Sequence, residues 1–369
     1  MIIKIITCQK VNNHGATLQA YALMHYLESL GNDVEIIDYI PERFNHFRPF
    51  VCSTEKYAKN VFLKTAYICV KFPSRLAEYL KYKNSLRKTN FENFWNKYYH
   101  LTKCYKTFDE LKNNPPEADL YIAGSDQIWN TMMENGKDPA YYLQFARNGI
   151  RATYAASFSV SEIPDELKNQ TKAFIESIDY VSLREKSALK ILDDLGIKDA
   201  CVVLDPVFLL SREEWDCVES KMGFDDSYIL VYDFENSDIV KSFAKQYAKK
   251  NNVKIYSLYN SDYCDKCFED YGPDVFLSLI KNADFVVSNS FHATAFSVIY
   301  EKQFAVIKRE EGINSRMIDL LDSLGIDGHI VTEYQDFDNI NYESTIDKRR
   351  DFIQDSKDYL NYVLAEVNV

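Results

Sequence analysis

Apolar and polar residues alternate along the chain in an order that predicts repeated α/β units. Three segments end an amphipathic helix with the spacing Leu-x-x-Leu-Gly, and their glycines are Gly31, Gly196 and Gly325. Glycine adopts the left-handed conformation that ends a helix without steric cost. Each glycine is followed by an apolar run: DVEIIDYI, ACVVLDPVFLL and the weaker HIVT. Helix, glycine and strand in repeated succession predict a parallel sheet.

Other continuous apolar runs are typical of strands that are buried on both faces. They are IIKIITC, LYIAGS, YILVYDF, VKIYSLY, DFVVSNS and FAVIK. The series divides near Asp205-Pro206, and YILVYDF begins a second series. We therefore predict an α/β fold of two Rossmann-like lobes with parallel sheets, residues 1–205 and 206–345. Residues 346–369 are predicted to form a helix that packs back on the first lobe.

Composition narrows the class of protein. The apolar content of 46% and charged content of 27% exclude a disordered chain. The net charge of −12 argues against nucleic acid as a partner. No apolar run reaches the roughly 18 residues of a membrane span, and the start lacks a signal peptide, so we expect a cytoplasmic protein. Cys264-x-x-Cys267 has no second ligand pair nearby, so no metal site is predicted.

One stretch departs from this acidic balance. Residues 55–106 contain twelve Lys or Arg and only three Glu, interleaved with aromatic residues. Such a segment is typical of a face that contacts an anionic membrane surface or a lipid-linked substrate. It is explained equally well by a pair of solvated amphipathic helices that cover a sheet edge.

Three joints after predicted strands are rich in small or polar residues. In parallel sheets, ligands collect at the carboxyl ends of the strands, where helix N-termini present free amides. The first joint contains Asn13 and Gly15, which turn the chain before a strong helix. The second contains Gly124, Ser125 and Asp126. Asp126 could act as a base, although a helix N-cap is the commoner use of Asp at such a position.

The third joint, SNSFHA, follows the strand DFVV. Asn289 and Ser290 can cap the next helix, and His292 falls in its first turn. The positive end of a helix favours a neutral imidazole, which suits proton exchange with a substrate. A structural histidine is the alternative interpretation.

Basic residues complete the candidate chemistry. Arg184 lies between an apolar strand and a helix, Lys308 and Arg309 end the strand FAVIK, and Arg316 follows shortly after it. Arginine recognises carboxylate and phosphate groups by paired hydrogen bonds, so these residues suit a dianionic ligand. For Lys308, surface solvation beside two glutamates is the simpler explanation.

Several blocks together resemble the polysaccharide pyruvyl transferase family over nearly the whole chain. The matching blocks are NNHGATLQAYAL, ADLYIAGSDQIWN, RATYAASF, VSLREKSALKIL, VVLDPVFLL, ADFVVSNSFHATAFSVI and NSRMIDLLDSLGI. The resemblance implies a two-lobed fold like that of GT-B glycosyltransferases, with the active site between the lobes. It also implies transfer of a pyruvyl group from phosphoenolpyruvate to two hydroxyls of a surface-polysaccharide sugar, which forms a ketal and releases phosphate.

The resemblance assigns roles to the candidate residues. His292 matches the histidine of the family's SFH motif and Arg184 the arginine of its REK motif, which implies catalytic roles for both. Donor binding is expected of Ser290, Asn289, Lys308 and Arg316. The residues expected to contact the acceptor, or to form the wall of the cleft opposite the donor, are Asn13, Gly15, Gly124, Ser125 and Asp126.

The resemblance also sets the expected partners. Phosphoenolpyruvate is expected as a co-substrate without any other cofactor, and the saccharide acceptor is often carried on a lipid. Two other hypotheses remain open at this stage. One is a GT-B-type glycosyltransferase that uses a nucleotide sugar, and the other is a saccharide-binding relative without catalytic activity.

Overall fold

Two parallel sheets organise the chain. The computed structural model describes residues 1–41, 43, 61–309, 314–326, 328–335 and 338–367. The helices and strands of this part are β1 (Ile2–Ile6), α1 (His14–Ser29), β2 (Asp33–Ile36), α2 (Val61–Lys83), α3 (Leu86–Tyr98), α4 (Phe108–Asn113), β3 (Leu120–Ala123), β4 (Ile150–Thr153), α5 (Asp165–Ile175), β5 (Val181–Leu183), α6 (Ser187–Asp194), β6 (Ala200–Val202), α7 (Arg212–Val218), β7 (Tyr228–Tyr232), α8 (Asp238–Asn251), β8 (Lys254–Ser257), β9 (Lys266–Cys267), α9 (Pro273–Asn282), β10 (Phe285–Ser288), α10 (Phe291–Ile299), β11 (Phe304–Ile307), α11 (Ser315–Leu324), β12 (Ile330–Val331) and α12 (Tyr342–Glu366).

The first lobe is built on the strand order β2-β1-β3-β4, and all its neighbouring strands are parallel. The parallel pair β5-β6 continues this sheet through single bridges from Ala152 to Tyr180 and from Ala156 to Leu183. The second lobe has the order β12-β11-β10-β7-β8-β9, again parallel throughout. The predicted α/β fold of two lobes with parallel sheets is therefore confirmed.

Each sheet has a point where the strand order reverses. In the first lobe it falls between β1 and β3, and in the second between β7 and β10. The loops that leave adjacent strands at such a point diverge, which opens a crevice at their carboxyl ends. The joints after β1, β3 and β10 are the three that the sequence singled out.

The Leu-x-x-Leu-Gly pattern ends helices as predicted. Gly31, Gly196 and Gly325 follow α1, α6 and α11 with φ of +84°, +77° and +71°. A side chain with a Cβ is strained in this left-handed region, which is why glycine occupies it. The strands β2, β6 and β12 come next, so the repeated helix, glycine and strand succession is confirmed.

Helix α1 joins the two lobes. Nearly all its residues from His14 to Leu27 are buried, and it packs against α9 and α10 of the second lobe. One apolar core therefore runs from β1 and α1 through to β7, α9 and α10. Such continuous packing fixes the N-terminus of α1 relative to the N-terminus of α10.

The segment after β3 differs from the sequence prediction, which placed a helix there and offered Asp126 as its cap. Asp126 instead has φ +69° in a turn, and only short 3₁₀ helices follow, at Glu134–Lys137 and Pro139–Tyr142. The Asn-Gly and Asp-Pro pairs of this segment break a helix. The amides of Ile128 and Ser157 donate to the Asp126 carbonyl at 2.8 and 3.1 Å, and Trp129 stacks on Tyr142 with ring centroids 5.3 Å apart.

The basic stretch forms α2 and α3, while residues 55–60 lie outside the described part. Helix α3 buries Phe91, Phe94 and Trp95, and the Trp95 indole donates a hydrogen bond to the Thr17 hydroxyl of α1. The chain after α3 then pairs with the edge of the first sheet, at Ile36 and Leu101 and at Tyr39 and Tyr105.

The last helix, α12, packs back on the first lobe, as predicted. The Tyr359 hydroxyl donates to the carbonyl of Thr153 at 2.8 Å, and the Leu204 amide donates to the Ser356 hydroxyl at 2.9 Å. Leu360 and Val363 enter the core beneath them. None of the helices in the described ranges has the length and apolar character that crossing a bilayer requires.

Because the buried face of α12 packs into the core, truncating that face should destabilise the protein. Leu360 is 1% exposed, whereas Ile346 on the same helix is 54% exposed. We expect Leu360→Ala to lower the free energy of unfolding by about 2–5 kcal/mol in urea titrations. Ile346→Ala, the matched control, should change it by about 0.5 kcal/mol or less. Equal effects of the two substitutions would contradict this packing.

Candidate active site

A cleft lies between the two reversal points of the sheets. Three of its lining residues come from the first lobe and the others from the second. They are Asn13, Asp126 and Gln127, and then Phe234, Asn289, Ser290, Phe291, His292, Arg309, Arg316 and Met317. Six of the sequence-predicted residues therefore line one cleft: Asn13, Asp126, Asn289, Ser290, His292 and Arg316.

A buried carboxylate, Asp205, connects the two predicted catalytic residues. Its Oδ2 accepts a hydrogen bond from Arg184 Nη1 at 2.9 Å and lies 3.5 Å from His292 Nε2. The Ser125 hydroxyl donates to the same oxygen at 3.3 Å. Oδ1 accepts from the amide of Val207 at 3.1 Å, which fixes the carboxylate against its own backbone. Arg184 and His292 are thus brought together through a third group.

The charge of Asp205 is maintained by these neighbours. Burial raises the pKa of this carboxyl, but the charges and hydrogen bonds of His292 and Arg184 outweigh burial and lower the pKa below its ordinary value. Asp205 is therefore an anion at neutral pH. A buried anion beside an imidazole fixes the ring's orientation and stabilises a proton on it, as the acidic member of a catalytic triad does.

His292 is held at the cleft wall by the start of α10. Ser290 caps this helix by accepting a hydrogen bond from the amide of Ala293 at 3.4 Å, which places His292 in the first turn. Gly15 lies against the other side of the ring. A Cβ on Gly15 would fall 2.0 Å from His292 Nδ1, so any other residue would displace the ring or the backbone at this contact. Gly15 therefore supports the imidazole from behind instead of lining the cleft.

Arg184 lies beneath the cleft and not on its surface. Its side chain is 1% exposed, and its guanidinium stacks on the Phe291 ring at 4.5 Å. Besides Asp205, it lies 3.6 Å from Asp126 Oδ1 and 3.9 Å from Glu185 Oε2. Burial lowers the pKa of Arg184, but these three carboxylates more than offset it and raise the pKa above its ordinary value.

Glu185 anchors this group to the loop after β4. Its Oε1 accepts hydrogen bonds from the Ser157 hydroxyl at 2.9 Å and from the amides of Phe158 and Ser159 at 3.1 and 3.2 Å. Three donors fix one carboxylate oxygen, so Glu185 is a rigid support beside Arg184.

The cations on the cleft wall are Arg316 and Arg309. The Arg316 guanidinium lies 5.9 Å from the Phe291 ring, on which Arg184 also packs. Burial and the nearby charge of Arg184 lower the pKa of Arg316 to about 10, so it remains charged at neutral pH. The Gln127 side-chain amide faces Arg316, and with its oxygen turned toward the guanidinium it accepts from Nη1 and Nη2 at 3.2 and 3.1 Å. Arg309 donates to Glu235 Oε1 at 2.5 Å.

Lys308 does not line the cleft. It is exposed at the end of β11, whereas its neighbour Arg309 lines the cleft. Consecutive side chains of an extended chain point to opposite sides, so the two residues cannot serve the same site. Glu310 and Glu311, the partners considered for Lys308, lie outside the described residues.

Asn289 builds the floor beside Ser290. Its amide donates to Asp233 Oδ1 at 2.6 Å and its oxygen accepts from the amide of Phe234 at 3.1 Å. These bonds cross from the end of β10 to the end of β7, the two strands at the reversal point. Asn289 therefore joins the two loops that form this side of the cleft.

The remaining wall residues support the cleft from inside the first lobe. Asn13 caps α1 by accepting from the amide of Ala16 at 3.1 Å. Ser125 is fully buried, and its amide donates to the Gln19 side chain at 3.0 Å. A Cβ on Gly124 would lie 2.2 Å from the Tyr154 carbonyl oxygen, which explains the glycine.

The supporting residues Asp205, Glu185 and Gln19 were not predicted from the sequence, and neither were Gln127 and Phe234 on the cleft wall. For Asp205 a signal was present, since it is the one charged residue in the apolar run VVLDPVFLL. Glu185 adjoins Arg184 in the REK motif, whereas Gln19 sits unmarked within a helix. Within the described ranges, no group of three His, Cys, Asp or Glu side chains is arranged to hold a metal ion.

Together, the fold and the site define a two-lobed α/β protein with an imidazole–carboxylate pair and arginines around one interlobe cleft. The chain belongs to the polysaccharide pyruvyl transferase family, whose model matches residues 13–311. Membership of this family makes it a transferase of polysaccharide biosynthesis. No functionally curated protein matches the sequence significantly.

Solved structures with a similar course of the chain are distant in sequence. A UDP-N-acetylglucosamine 2-epimerase from Rickettsia bellii has 11% identity and a TM-score of 0.48, over 100% of this chain and 96% of that one. Arabidopsis thaliana UGT89C1 has 10% identity and a TM-score of 0.47, over 100% and 99%. The E. coli heptosyltransferase WaaC has 10% identity and a TM-score of 0.38, over 84% and 90%.

Any side chain at position 15 must displace the His292 ring or the start of α1. We expect Gly15→Ala to lower the midpoint of thermal unfolding by several degrees, because a kilocalorie shifts it by about 2–4 °C in a chain of this size. Gly223→Ala is the matched control, since no atom lies within 4 Å of its added methyl group. An unchanged midpoint for Gly15→Ala would show that this contact is loose.

Removal of the Asp205 charge should destabilise the fold in a pH-dependent way. Asp205→Asn removes the nearest of the three carboxylates around the buried Arg184, which we expect to cost about 3 kcal/mol at pH 7. Because the folded-state pKa of Asp205 lies below the unfolded value of about 3.9, the charge contributes fully above that value. Its contribution is lost as the pH falls through the folded-state pKa.

The difference in unfolding free energy between wild type and Asp205→Asn should therefore narrow below about pH 4. Urea titrations at several pH values measure it. The exposed Asp199→Asn serves as the control for a general charge effect. A difference that is absent at pH 7, or that grows on acidification, would refute the role given to Asp205.

Proposed function

We propose that the chain transfers the pyruvyl group of phosphoenolpyruvate to two hydroxyls of a saccharide, forming a cyclic ketal and releasing phosphate. The observation that carries this proposal is the Asp205–His292 pair on the wall of a cleft that also presents Arg316. This donor needs both functions: a proton for its methylene carbon, and cations for its carboxylate and phosphate groups.

Arg316, with Arg309 beside it, binds the anionic groups of the donor. Arginine pairs with the oxygens of carboxylate and phosphate through two hydrogen bonds at once. The N-terminus of α10 adds backbone amides and its positive dipole end beside Ser290. Burial of Arg316 strengthens this attraction, because few water molecules compete for the same oxygens.

His292 exchanges the protons of the reaction. It gives a proton to the methylene carbon, which becomes a methyl group, and positive charge develops at the carbon that bears the phosphate ester. The first sugar hydroxyl attacks that carbon and returns its proton to the imidazole. General acid–base catalysis of this kind contributes typically about 10²–10⁴-fold.

The phosphate ester bond then breaks, and phosphate leaves with the bonding electron pair and is stabilised by Arg316. The second hydroxyl attacks the same carbon and closes the ketal. Of the two hydroxyl protons lost, one replaces the proton given to the methyl group and the other leaves with hydrogen phosphate. No oxidant, reductant or other co-reactant is required.

Arg184 acts through Asp205 in this proposal. Its guanidinium is directed to three carboxylates and is nearly inaccessible, so it holds Asp205 in place and supports His292 indirectly. This differs from the donor clamp that the sequence suggested. Donor binding is given instead to Arg316 and Arg309.

The acceptor enters from the side of Asn13, Asp126 and Phe234. A carboxylate and an amide can accept and donate hydrogen bonds to sugar hydroxyls, and the Phe234 ring can lie against a sugar face. We further propose that the acceptor saccharide is carried on a lipid and that the enzyme works at the cytoplasmic face of the membrane.

Replacement of His292 separates chemistry from binding. We expect His292→Ala to lower acceptor-dependent phosphate release by about 10²–10⁴-fold, while calorimetric titration still detects phosphoenolpyruvate. The control is His100→Ala, whose side chain is 68% exposed. Unchanged turnover in His292→Ala would exclude the proposed proton transfer. Binding of nucleotide sugars in place of phosphoenolpyruvate would instead indicate a glycosyltransferase.

A further inference from the structure

Helix α2 presents two different faces. Phe72, Leu76, Tyr79 and Tyr82 recur at helical spacing and are all half-buried. At the C-terminal end of this face, the Tyr82 hydroxyl accepts a hydrogen bond from the Asn12 amide at 3.1 Å. This face is therefore the one directed toward the body of the protein.

The opposite face is apolar and exposed. Val70, Pro73, Ala77 and Leu80 follow one another at intervals of three or four residues, which places them on one side of the helix. All four are exposed, Val70 by 75% and Leu80 by 47%. We call these four residues the α2 stripe. Single exposed apolar residues are ordinary, but an aligned series on one helix face marks a contact surface.

Positive charge accompanies the α2 stripe. Lys71, Lys81 and Lys83 are exposed on the same helix. By helical spacing, Lys81 lies beside Val70 at one edge of the stripe and Lys83 lies beyond Leu80 at the other, whereas Lys71 lies on the far side. The surrounding stretch, residues 55–106, has the excess of basic residues described above, in a chain whose net charge is −12. A helix with an apolar face bordered by lysines matches the chemistry of a bilayer interface, where acyl chains lie beneath anionic head groups.

We propose that the α2 stripe docks on an anionic lipid bilayer. The four apolar side chains enter the boundary between head groups and acyl chains, and Lys81 and Lys83 at the edges of the stripe contact lipid phosphates. A second copy of this chain fits the surface poorly, because the lysines of two stripes would face one another and repel. The charge pattern selects the lipid surface as the partner.

This docking would bring the cleft to the membrane. Asn12, which bonds Tyr82 of α2, immediately precedes Asn13 of the cleft wall, and Arg87 Nη2 donates to the Asn12 carbonyl at 2.9 Å. The consequence for catalysis, delivery of a lipid-linked saccharide to the cleft, rests on the proposed function. The docking itself does not.

Co-sedimentation with vesicles tests the docking without donor or acceptor. Wild type should bind vesicles of phosphatidylcholine with 30 mol% phosphatidylglycerol, bind pure phosphatidylcholine far less, and lose binding as salt rises. Val70→Asp with Leu80→Asp should abolish binding. Lys81→Ala and Lys83→Ala should each lower the partition coefficient about fivefold, whereas Lys71→Ala, on the far side of the helix, should lower it less. The matched control is Ile346→Asp on α12, at a residue that is 54% exposed.

Thermal unfolding of each variant confirms that it is folded. Equal vesicle binding by the aspartate double variant and by wild type would overturn the proposal, as would no binding by wild type. So would a change in oligomeric state without a change in lipid binding, which would make a second copy the partner. Phosphate release with a water-soluble saccharide reports pyruvyl transfer separately, so failure of either hypothesis is recognised independently.

Discussion

The site depends on one buried carboxylate oxygen, Asp205 Oδ2, which faces a guanidinium, a hydroxyl and an imidazole at once. An isolated carboxylate would be neutralised at this depth, and Arg184 alone would be equally costly to bury. Together they form a stable pair that leaves one side of the carboxylate for His292. The buried ion pair therefore has a fixed position, and it orients the imidazole of His292 at the cleft wall.

Both lobes contribute residues to the arrangement of Asp205, Arg184 and His292. Asp205 and Arg184 come from the end of the first lobe, and His292 comes from the second. Helix α1 locks them together, because its buried length packs against α10 while its first turn brings Gly15 against the imidazole. The continuous core across the lobes fixes the position of Gly15 relative to His292, because a close-packed interior leaves little room for either residue to move. The cleft is thus held open by packing, with polar loops only at its rim.

Local patterns in the sequence predicted much of this arrangement. The glycine after each helix, the buried apolar runs and the polar joints are short-range features, and all three joints lie at the reversal points. Contacts between segments that are far apart in the sequence were harder to predict. Asp205 looked like a domain boundary because its partners are 21 and 87 residues away. Arg184 looked like a ligand clamp because nothing local shows that Asp126 and Asp205 also face it. The turn at Asp126 was not predicted because it is hydrogen-bonded to Ser157, about 30 residues further along the chain.

A crystal structure with phosphoenolpyruvate bound tests the central claim most directly. The account predicts that the donor's anionic groups lie within hydrogen-bond distance of Arg316, with the methylene carbon beside His292. Arg184 should remain on Asp205 as in the structure without a donor. A donor bound directly by Arg184, with the Asp205 bond broken, would contradict the account, and so would a donor lodged outside the cleft between the lobes.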